Sequence, residues 1–255
     1  MVERVTIDLN CDMGEGFGPW SMGEDAHLLD QVTSANIACG FHAGDPATML
    51  RTARLALDKG VAVGAHPSFP DLQGFGRREM KMAPAEIHAM VLYQMGALSA
   101  CVRACGGRLR HVKAHGALYN MASRDRNMAD AIVRAVREFD DSLTVYGLSG
   151  SVMIEAARAA GLKTASEVFA DRRYQADGSL VPRSHADALI HDVEEAVEQV
   201  MGMVRDGTVR SVEGDVVKLE AATVCVHGDA PGAVDFARRL RQALRSAQIL
   251  VRAPD

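Results

Sequence analysis

The chain has 255 residues, of which 48% are hydrophobic and 24% are charged, and its formal net charge is −5. That length is near the size of one (β/α) barrel, so we predict a single β/α barrel-like domain over residues 1–255. The acidic balance without a Lys/Arg cluster argues against a nucleic-acid partner, and no apolar stretch is long enough to predict a membrane helix.

The chain begins with a predicted strand. The segment MVERVTIDLN carries three charged residues and has no apolar core of the kind found in signal peptides. The five cysteines are an odd number, and three of them lie inside apolar strand patterns, which indicates reduced thiols in the cytoplasm.

Predicted strands and helices alternate along the whole chain. Short apolar runs predict seven strands, at about residues 5–10, 34–39, 61–65, 111–115, 143–147, 163–169 and 223–227. Amphipathic segments predict helices near 24–31, 46–58, 84–104, 126–138, 150–160, 186–205 and 231–246. Such alternation implies parallel strands joined by right-handed crossovers. We therefore predict an α/β barrel-like fold with seven strands, one fewer than the regular barrel.

Three segments interrupt this alternation. Residues 12–23 and 67–83 are rich in Gly and Pro and are long for β/α loops, which is typical of functional loops at a catalytic rim. The segment 209–219, VRSVEGDVVKL, predicts a hairpin that turns at Glu213 and Gly214.

Four histidines each follow an apolar strand-like run: His42, His66, His115 and His227. The carboxyl ends of parallel strands share one rim, so these side chains are predicted to face a single pocket. Acidic residues follow two of them within three positions, namely Asp45 and Asp229. The pattern predicts an enzyme active site.

The first strand carries a row of polar residues. Asp8, Asn10 and Asp12 are two residues apart, so in an extended strand they point to one face, and we expect at least one end of the row to enter the pocket. The D-x-N-x-D spacing also occurs in calcium loops, but Met13 stands where such a loop needs glycine, which excludes an EF-hand.

The segment HVKAH contains two histidines for which we predict different roles. On a strand, His111 and His115 lie about 13 Å apart, too far to share an ion, so we predict that His111 is structural. Lys113 faces the same side as His115, and an inward lysine near carboxylates more often balances charge than acts as a nucleophile.

Further candidates lie in two loops. Arg77 and Arg78 end the loop 67–83 and could clamp a carboxylate or phosphate, although a solvated charge pair fits the pattern almost as well. Asp171 and Arg183 follow the sixth strand and should line the same opening. Several carboxylates and imidazoles around one cavity would shift one another's pKa values in different directions, so a general acid and a general base could coexist there.

Seven ordered segments resemble the LamB/YcsF family over nearly the whole chain: DLNCDMGEGFG, NIACGFHAGDP, GAHPSFPDLQGFGRRE, VKAHGALYN, EVFADRRY, SLVPRS and VHGD. Bacterial members of that family form the A subunit of the three-part ATP-dependent 5-oxoprolinase. The resemblance implies a barrel of the glycoside hydrolase/deacetylase type. It also implies that 5-oxo-L-proline is opened to L-glutamate while ATP is cleaved, in a complex with subunits B and C. One departure is Ala114, where the family usually has proline.

Roles follow as hypotheses from this resemblance. Asp12 or His66 would act as general base, His115 or His42 would protonate the departing nitrogen, and Lys113 or Arg77 would hold negative charge. The candidate substrate-binding residues are Asp8, Asn10, Asp45, Arg77, Arg78, Asp171, Arg183, His227 and Asp229. The sequence has no G-x-x-x-x-G-K-[ST] loop, so ATP could be bound by the partner subunits.

A divalent metal is a further candidate cofactor. The same fold type often holds such an ion through an Asp and two histidines, and Asp12 with His42, His66 or His115 could supply that set. Two alternatives stay open: a stand-alone metal-dependent deacetylase or amidase, and a non-catalytic subunit that binds the substrate for its partners.

Overall fold

A computed structural model of the chain describes residues 5–20, 22–228 and 232–254. Residues 1–4 before the predicted first strand, residue 21 in the first long loop and residue 231 at the predicted start of the last helix lie outside this description. All five cysteines are free thiols. Within the described ranges, none of the helices combines the length and hydropathy needed to cross a membrane.

The described residues form ten strands, β1 Thr6–Met13, β2 Ser34–Ala38, β3 Ala62–His66, β4 His111–Lys113, β5 Thr144–Leu148, β6 Lys163–Phe169, β7 Thr208–Arg210, β8 Val216–Lys218, β9 Thr223–Cys225 and β10 Leu250–Val251. Seven of them, β1 to β6 and β9, form a parallel barrel that closes where β9 pairs with both β6 and β1. This confirms the predicted seven-stranded α/β barrel.

Within the part of the chain that the structure describes, eight helices surround the barrel: α1 Asp25–Leu28, α2 Pro46–Asp58, α3 Pro84–Ala104, α4 Gly116–Ala122, α5 Arg126–Phe139, α6 Val152–Ala159, α7 Val193–Asp206 and α8 Ala233–Ser246. Their apolar faces pack on the outside of the sheet, where Leu9, Ile37 and Val63 are fully buried. Burial of these faces supplies the main driving force for the barrel.

Local capping explains why several helices begin where they do. The side chain of Asp45 accepts hydrogen bonds from the backbone amides of Ala47 and Thr48 at the start of α2. Asp192 caps α7 in the same way, so that helix begins at Val193 and not near residue 186 as predicted.

Other differences from the predicted elements are small. The structure contains the predicted hairpin, formed by β7 and β8, and α2 and α3 have the predicted bounds. The sequence patterns missed α4 and β10, which are 7 and 2 residues long. Elements this short carry too little periodicity to stand out from a loop.

The barrel interior is polar. Asp8, Asn10 and Asp12 lie in one row along β1, while Ile7 and Leu9 on the same strand join the apolar core. Asn10 donates hydrogen bonds to Glu167 and Thr223, and Asn36 donates to the side-chain oxygens of Asn10 and Asp12. A chain of hydrogen bonds therefore connects the interior of the barrel to the rim at the strand carboxyl ends.

Candidate active site

A pocket of about 460 Å³ opens at the carboxyl ends of the barrel strands. The structure brings seven of the predicted site residues to its wall: Asp12, His66, Arg77, Lys113, His115, Arg183 and His227. They come from β1, β3, β4 and the loops that follow β3, β4, β6 and β9, so the closed barrel places side chains from distant parts of the chain around one cavity.

Lys113 lies at the base of this pocket among carboxylates. Its Nζ is 2.8 Å from Glu167 Oε1 and 3.0 Å from Asp12 Oδ1, and it also donates to Cys225 Sγ at 3.2 Å. Burial alone would lower the pKa of Lys113, but Asp12, Cys225 and Glu167 together raise it well above its usual range. Lys113 is thus a charged partner of two carboxylates, which is unfavourable for a nucleophilic role.

Asp12 is ionised in this environment. Burial alone would raise its pKa, but the charges of His66 and Lys113 hold the pKa of Asp12 well below its usual range. Oδ1 accepts hydrogen bonds from Lys113 and Asn36, and Oδ2 lies 3.2 Å from His66 Nε2. The carboxylate is held from two sides and presents an edge to the pocket.

Three of the rim histidines pack together at one side of the pocket. The rings of His42 and His115 are stacked with their centroids 3.9 Å apart, and His66 Nε2 is 3.0 Å from His115 Nδ1. Glu15 joins them, because its Oε1 lies 3.6 Å from His115 Nδ1 and 3.8 Å from His42 Nε2. One ligand atom from each of these four residues lies within 4.8 Å of the others.

Glycine makes this packing possible. Gly76 has φ +63°, and a Cβ there would collide with Ser68 and lie 2.9 Å from both His115 Cδ2 and His42 Cβ. A side chain at this position would therefore push the stacked rings apart, in addition to the strain of a left-handed backbone.

His42 and His115 are neutral near pH 7. Burial lowers the pKa of His42 well below its usual range, and the neighbouring rings His115 and His66 lower it further. Burial and His66 likewise lower the pKa of His115 to about 3. Neither ring is therefore suited to donate a proton at neutral pH, whereas neutral imidazoles can act as hydrogen-bond acceptors or metal ligands.

A second set of hydrogen-bonded polar side chains forms another part of the pocket wall. His227 Nδ1 donates to Asp171 Oδ1 at 2.7 Å, and its Nε2 accepts a hydrogen bond from Arg183 Nη2 at 2.9 Å. Burial alone would raise the pKa of Asp171, but contact with His227 lowers it. The ionised Asp171 thus orients His227, which in turn orients the Arg183 guanidinium.

Several predicted site residues lie elsewhere. Asp8 is buried deep in the barrel, where it accepts hydrogen bonds from four hydroxyl groups, those of Thr33, Ser34, Tyr146 and Thr223. Burial raises the pKa of Asp8 in spite of these bonds. Asn10 is likewise enclosed, and His42 lies behind His115, outside the pocket wall.

Two further candidates have structural partners. Asp45 caps α2 and also accepts a hydrogen bond from the Gly18 amide, so it holds the first long loop against the helix. Arg78 pairs with Asp71 and does not reach the pocket. Asp229 lies outside the described residues. His111, predicted to be structural, is buried against Tyr146 and donates to Asn36 Oδ1 at 2.8 Å.

Sequence reasoning missed Glu15 and left Glu167 without a specific role. Glu15 lies in the glycine-rich loop after β1, and only its position on that long rim loop marked it in the sequence. Glu167 is fully buried near the end of β6, and an acidic residue inside an apolar strand was the available signal. Tyr119 and Arg172 also line the pocket.

Comparisons with known proteins fit this architecture. The model of the LamB/YcsF family matches residues 7–255. The chain belongs to the LamB/YcsF family. It is 59% identical to a protein from Bordetella pertussis that is named as the A subunit of 5-oxoprolinase, over 97% of this chain and 98% of that protein. It is 60% identical to a protein of the same name from Geobacillus kaustophilus, over 98% of this chain and 97% of that protein.

Solved structures agree on the fold. A lactam utilization protein from Thermus thermophilus superposes with a TM-score of 0.92 at 49% identity, covering 98% of this chain and all of that one. A family 4 carbohydrate esterase from Streptomyces lividans superposes with a TM-score of 0.51 at 10% identity, over 96% of this chain and 91% of the esterase. The esterase shows the fold alone, that of a barrel built from β/α units.

Proposed function

We propose that this family member is the A subunit of an ATP-dependent 5-oxoprolinase, which opens 5-oxo-L-proline to L-glutamate while ATP is cleaved to ADP and phosphate. The observation that carries the proposal is the pocket itself, where the arginines Arg77 and Arg183 share one small cavity with Asp12 and three histidines. Proteins similar to this chain over nearly their full length bear the name of that subunit, which supports hydrolysis of an amide as the reaction class.

The pocket suits a small anionic substrate. Its volume of about 460 Å³ lies within the range of small-molecule sites. We propose that Arg183 binds the carboxylate of 5-oxoproline, because the hydrogen bonds from Arg183 to His227 and from His227 to Asp171 fix the direction of its guanidinium. Arg183→Gln should raise KM at least about tenfold and change kcat less, since the lost contact is made before and during the reaction. An unchanged KM would move the carboxylate to Arg77.

The chemistry begins from an unreactive amide. A five-membered lactam has a poor leaving group, so phosphorylation of its carbonyl oxygen by ATP would activate the carbon toward water. One water adds to that carbon, the C–N bond breaks as the nitrogen takes a proton, and a second water releases phosphate from the acyl phosphate. These steps balance the products glutamate, ADP and phosphate.

The geometry narrows the roles predicted from sequence. Asp12 is ionised and borders the pocket, so we assign it the orientation and deprotonation of the attacking water. The neutral rings of His42 and His115 are poor proton donors, and His227 directs both ring nitrogens to Asp171 and Arg183. We therefore assign protonation of the departing nitrogen to Asp12, which holds the proton taken from the attacking water. We assign Lys113 to charge balance at the base of the site.

ATP binding is proposed to involve the partner subunits B and C. The chain has no phosphate-binding loop of the Walker type. The complex is expected to work in the cytoplasm, where free thiols and ATP coexist.

The deciding experiment measures glutamate release from 5-oxoproline in the presence of ATP. This chain alone, subunits B and C alone, and all three together are compared, each with and without ATP. Activity in the full mixture with ATP, and in neither partial mixture, is the expected result. ATP-independent activity of this chain alone would replace the proposal with a self-sufficient amidohydrolase. Activity of B and C alone would make this chain an accessory binding protein.

A further inference from the structure

Backbone carbonyls fix the tautomers of two histidines at the rim. His66 Nδ1 lies 2.8 Å from the carbonyl oxygen of Lys113, and His115 Nε2 lies 2.9 Å from that of Phe75. A carbonyl oxygen only accepts hydrogen bonds, so each of these nitrogens must carry the hydrogen. The other nitrogen of each ring, when the ring is neutral, is then a bare lone pair.

Those two lone pairs point at each other. His66 Nε2 and His115 Nδ1 are 3.0 Å apart, and no hydrogen lies between two neutral rings in these tautomers. The Asp12 carboxylate, also an acceptor, is 3.2 Å from His66 Nε2. Acceptor atoms at such distances repel unless a proton that charges His66 or a metal ion lies among them, so the arrangement indicates a place for positive charge.

His42 gives a second, independent observation. Its side chain is fully buried, and neither ring nitrogen has a hydrogen-bond partner among the described residues. A structural histidine in this position would be expected to be hydrogen-bonded, because burying an unsatisfied polar group destabilises the fold. Nε2 of His42 instead faces Glu15 Oε1 at 3.8 Å, on the same side as His115 Nδ1.

The spacing of the four groups matches a metal coordination shell. A tetrahedral site with metal–nitrogen distances of about 2.0–2.1 Å places its ligand atoms about 3.3 Å from one another. The separations of neighbouring donor atoms within the cluster are 3.0, 3.6 and 3.8 Å. Small movements of the side chains would bring all four donors onto one ion.

We propose that Glu15, His42, His66 and His115 bind one divalent transition-metal ion such as Zn²⁺. Three imidazole nitrogens with one carboxylate favour such an ion over Mg²⁺ or Ca²⁺, which prefer oxygen ligands. This site rests on geometry alone and does not depend on the lactam assignment. When bound, the ion would supply a Lewis acid beside the pocket.

The proposed set differs from the one predicted from sequence. Asp12 contacts His66 but is committed through Oδ1 to Lys113 and Asn36, whereas Glu15 approaches both His42 and His115. Glu15 therefore takes the carboxylate position, and Asp12 stays at the edge of the pocket.

The test measures metal binding by the full-length protein without any activity assay. Protein stripped with a chelator and dialysed is titrated with Zn²⁺ by calorimetry and with Co²⁺ by visible absorption. We expect one ion per chain, and a higher melting temperature when the ion is bound. Glu15→Gln and His42→Asn should weaken binding at least about 10–100-fold, since changes even outside the ligand shell reach that size.

Two controls separate this site from other binding. His88→Gln alters a histidine on α3 that pairs with Glu138, and it should leave affinity and stoichiometry unchanged. Asp12→Asn should keep one ion per chain and weaken binding less than Glu15→Gln does, because Asp12 contacts His66 but lies outside the proposed ligand set. Circular dichroism of each stripped variant shows whether it is folded, and Glu15→Gln serves if His42→Asn does not fold. Folded wild-type protein that binds no ion, wild-type affinity in Glu15→Gln, or loss of the ion in Asp12→Asn would each overturn the proposal.

Discussion

Replacing Lys113 with methionine should destabilise the folded protein because it leaves buried carboxylates without their counter-charge. The side chain of Lys113 is 3% exposed, and its partners Glu167 and Asp12 are 0% and 17% exposed. Methionine keeps most of the volume, so the change removes charge more than packing. Breaking a buried ion pair by deleting one partner costs about 3–5 kcal/mol.

That free energy converts into a measurable shift. For a chain of this size, each kcal/mol lowers the melting temperature by about 2–4 °C, so Lys113→Met should melt about 6–20 °C below wild type. The assay is thermal and urea denaturation followed by circular dichroism. Lys218→Met, at an exposed position of β8, is the matched control and should stay within about 0.5 kcal/mol of wild type.

A double variant tests the electrostatic cause. Adding Glu167→Gln to Lys113→Met removes one unpaired carboxylate, while the amide oxygen can still accept from Asn10. We expect the pair to be less destabilised than the sum of the single variants by roughly 1–3 kcal/mol. A Lys113→Met protein that melts within about 2 °C of wild type, less than the smallest shift expected here, or strict additivity in the double variant, would refute the reasoning.

Three further outcomes are expected. Asp12→Asn should lower glutamate release by the full complex about 100-fold, and wild-type turnover would remove Asp12 from the proposed mechanism. Asp45→Ala should lower the melting temperature by about 2–4 °C through loss of the α2 cap with KM unchanged, whereas a raised KM would restore its predicted role in substrate binding. Asp171 has a lowered pKa in the fold, so its contribution to stability is present above the unfolded pKa and is lost as pH falls through the folded value. Denaturation across acidic pH should therefore show a flatter decline for Asp171→Asn than for wild type, and identical slopes would contradict this.

The fold could be predicted from sequence because two periodicities decide it. Apolar runs of strand length alternate with amphipathic helices, and the order alone implies a parallel barrel. Where a bound was misplaced, as at the start of α7, the hydrophobic pattern ran past a capping residue, Asp192. Elements held by neighbours more than by their own pattern, such as β10 beside β1, were not predictable in this way.

The site could be predicted only as far as strand ends define it. His66, His115 and His227 follow strands, and the shared rim of the barrel brings them to one pocket. Glu15 lies in a loop, so its approach to His42 depends on the three-dimensional path of residues 14–18, which sequence spacing does not determine. Asp45 illustrates the opposite error. It is predicted to bind substrate because it follows a strand end, but the same position is also that of a helix cap, and Asp45 caps α2.

The polar barrel interior links stability to the site. Barrels of this class usually fill their interior with layers of branched apolar side chains. Here Asn36 binds both Asn10 and Asp12, and it accepts from His111. Because each buried polar group depends on its neighbour for hydrogen bonding, we expect a change deep in the barrel to shift the carboxylate at the rim. Asn36 lies on the neighbouring strand and donates to Asp12 without itself lining the pocket, so the polar layer beneath the pocket helps to position the Asp12 carboxylate at its edge.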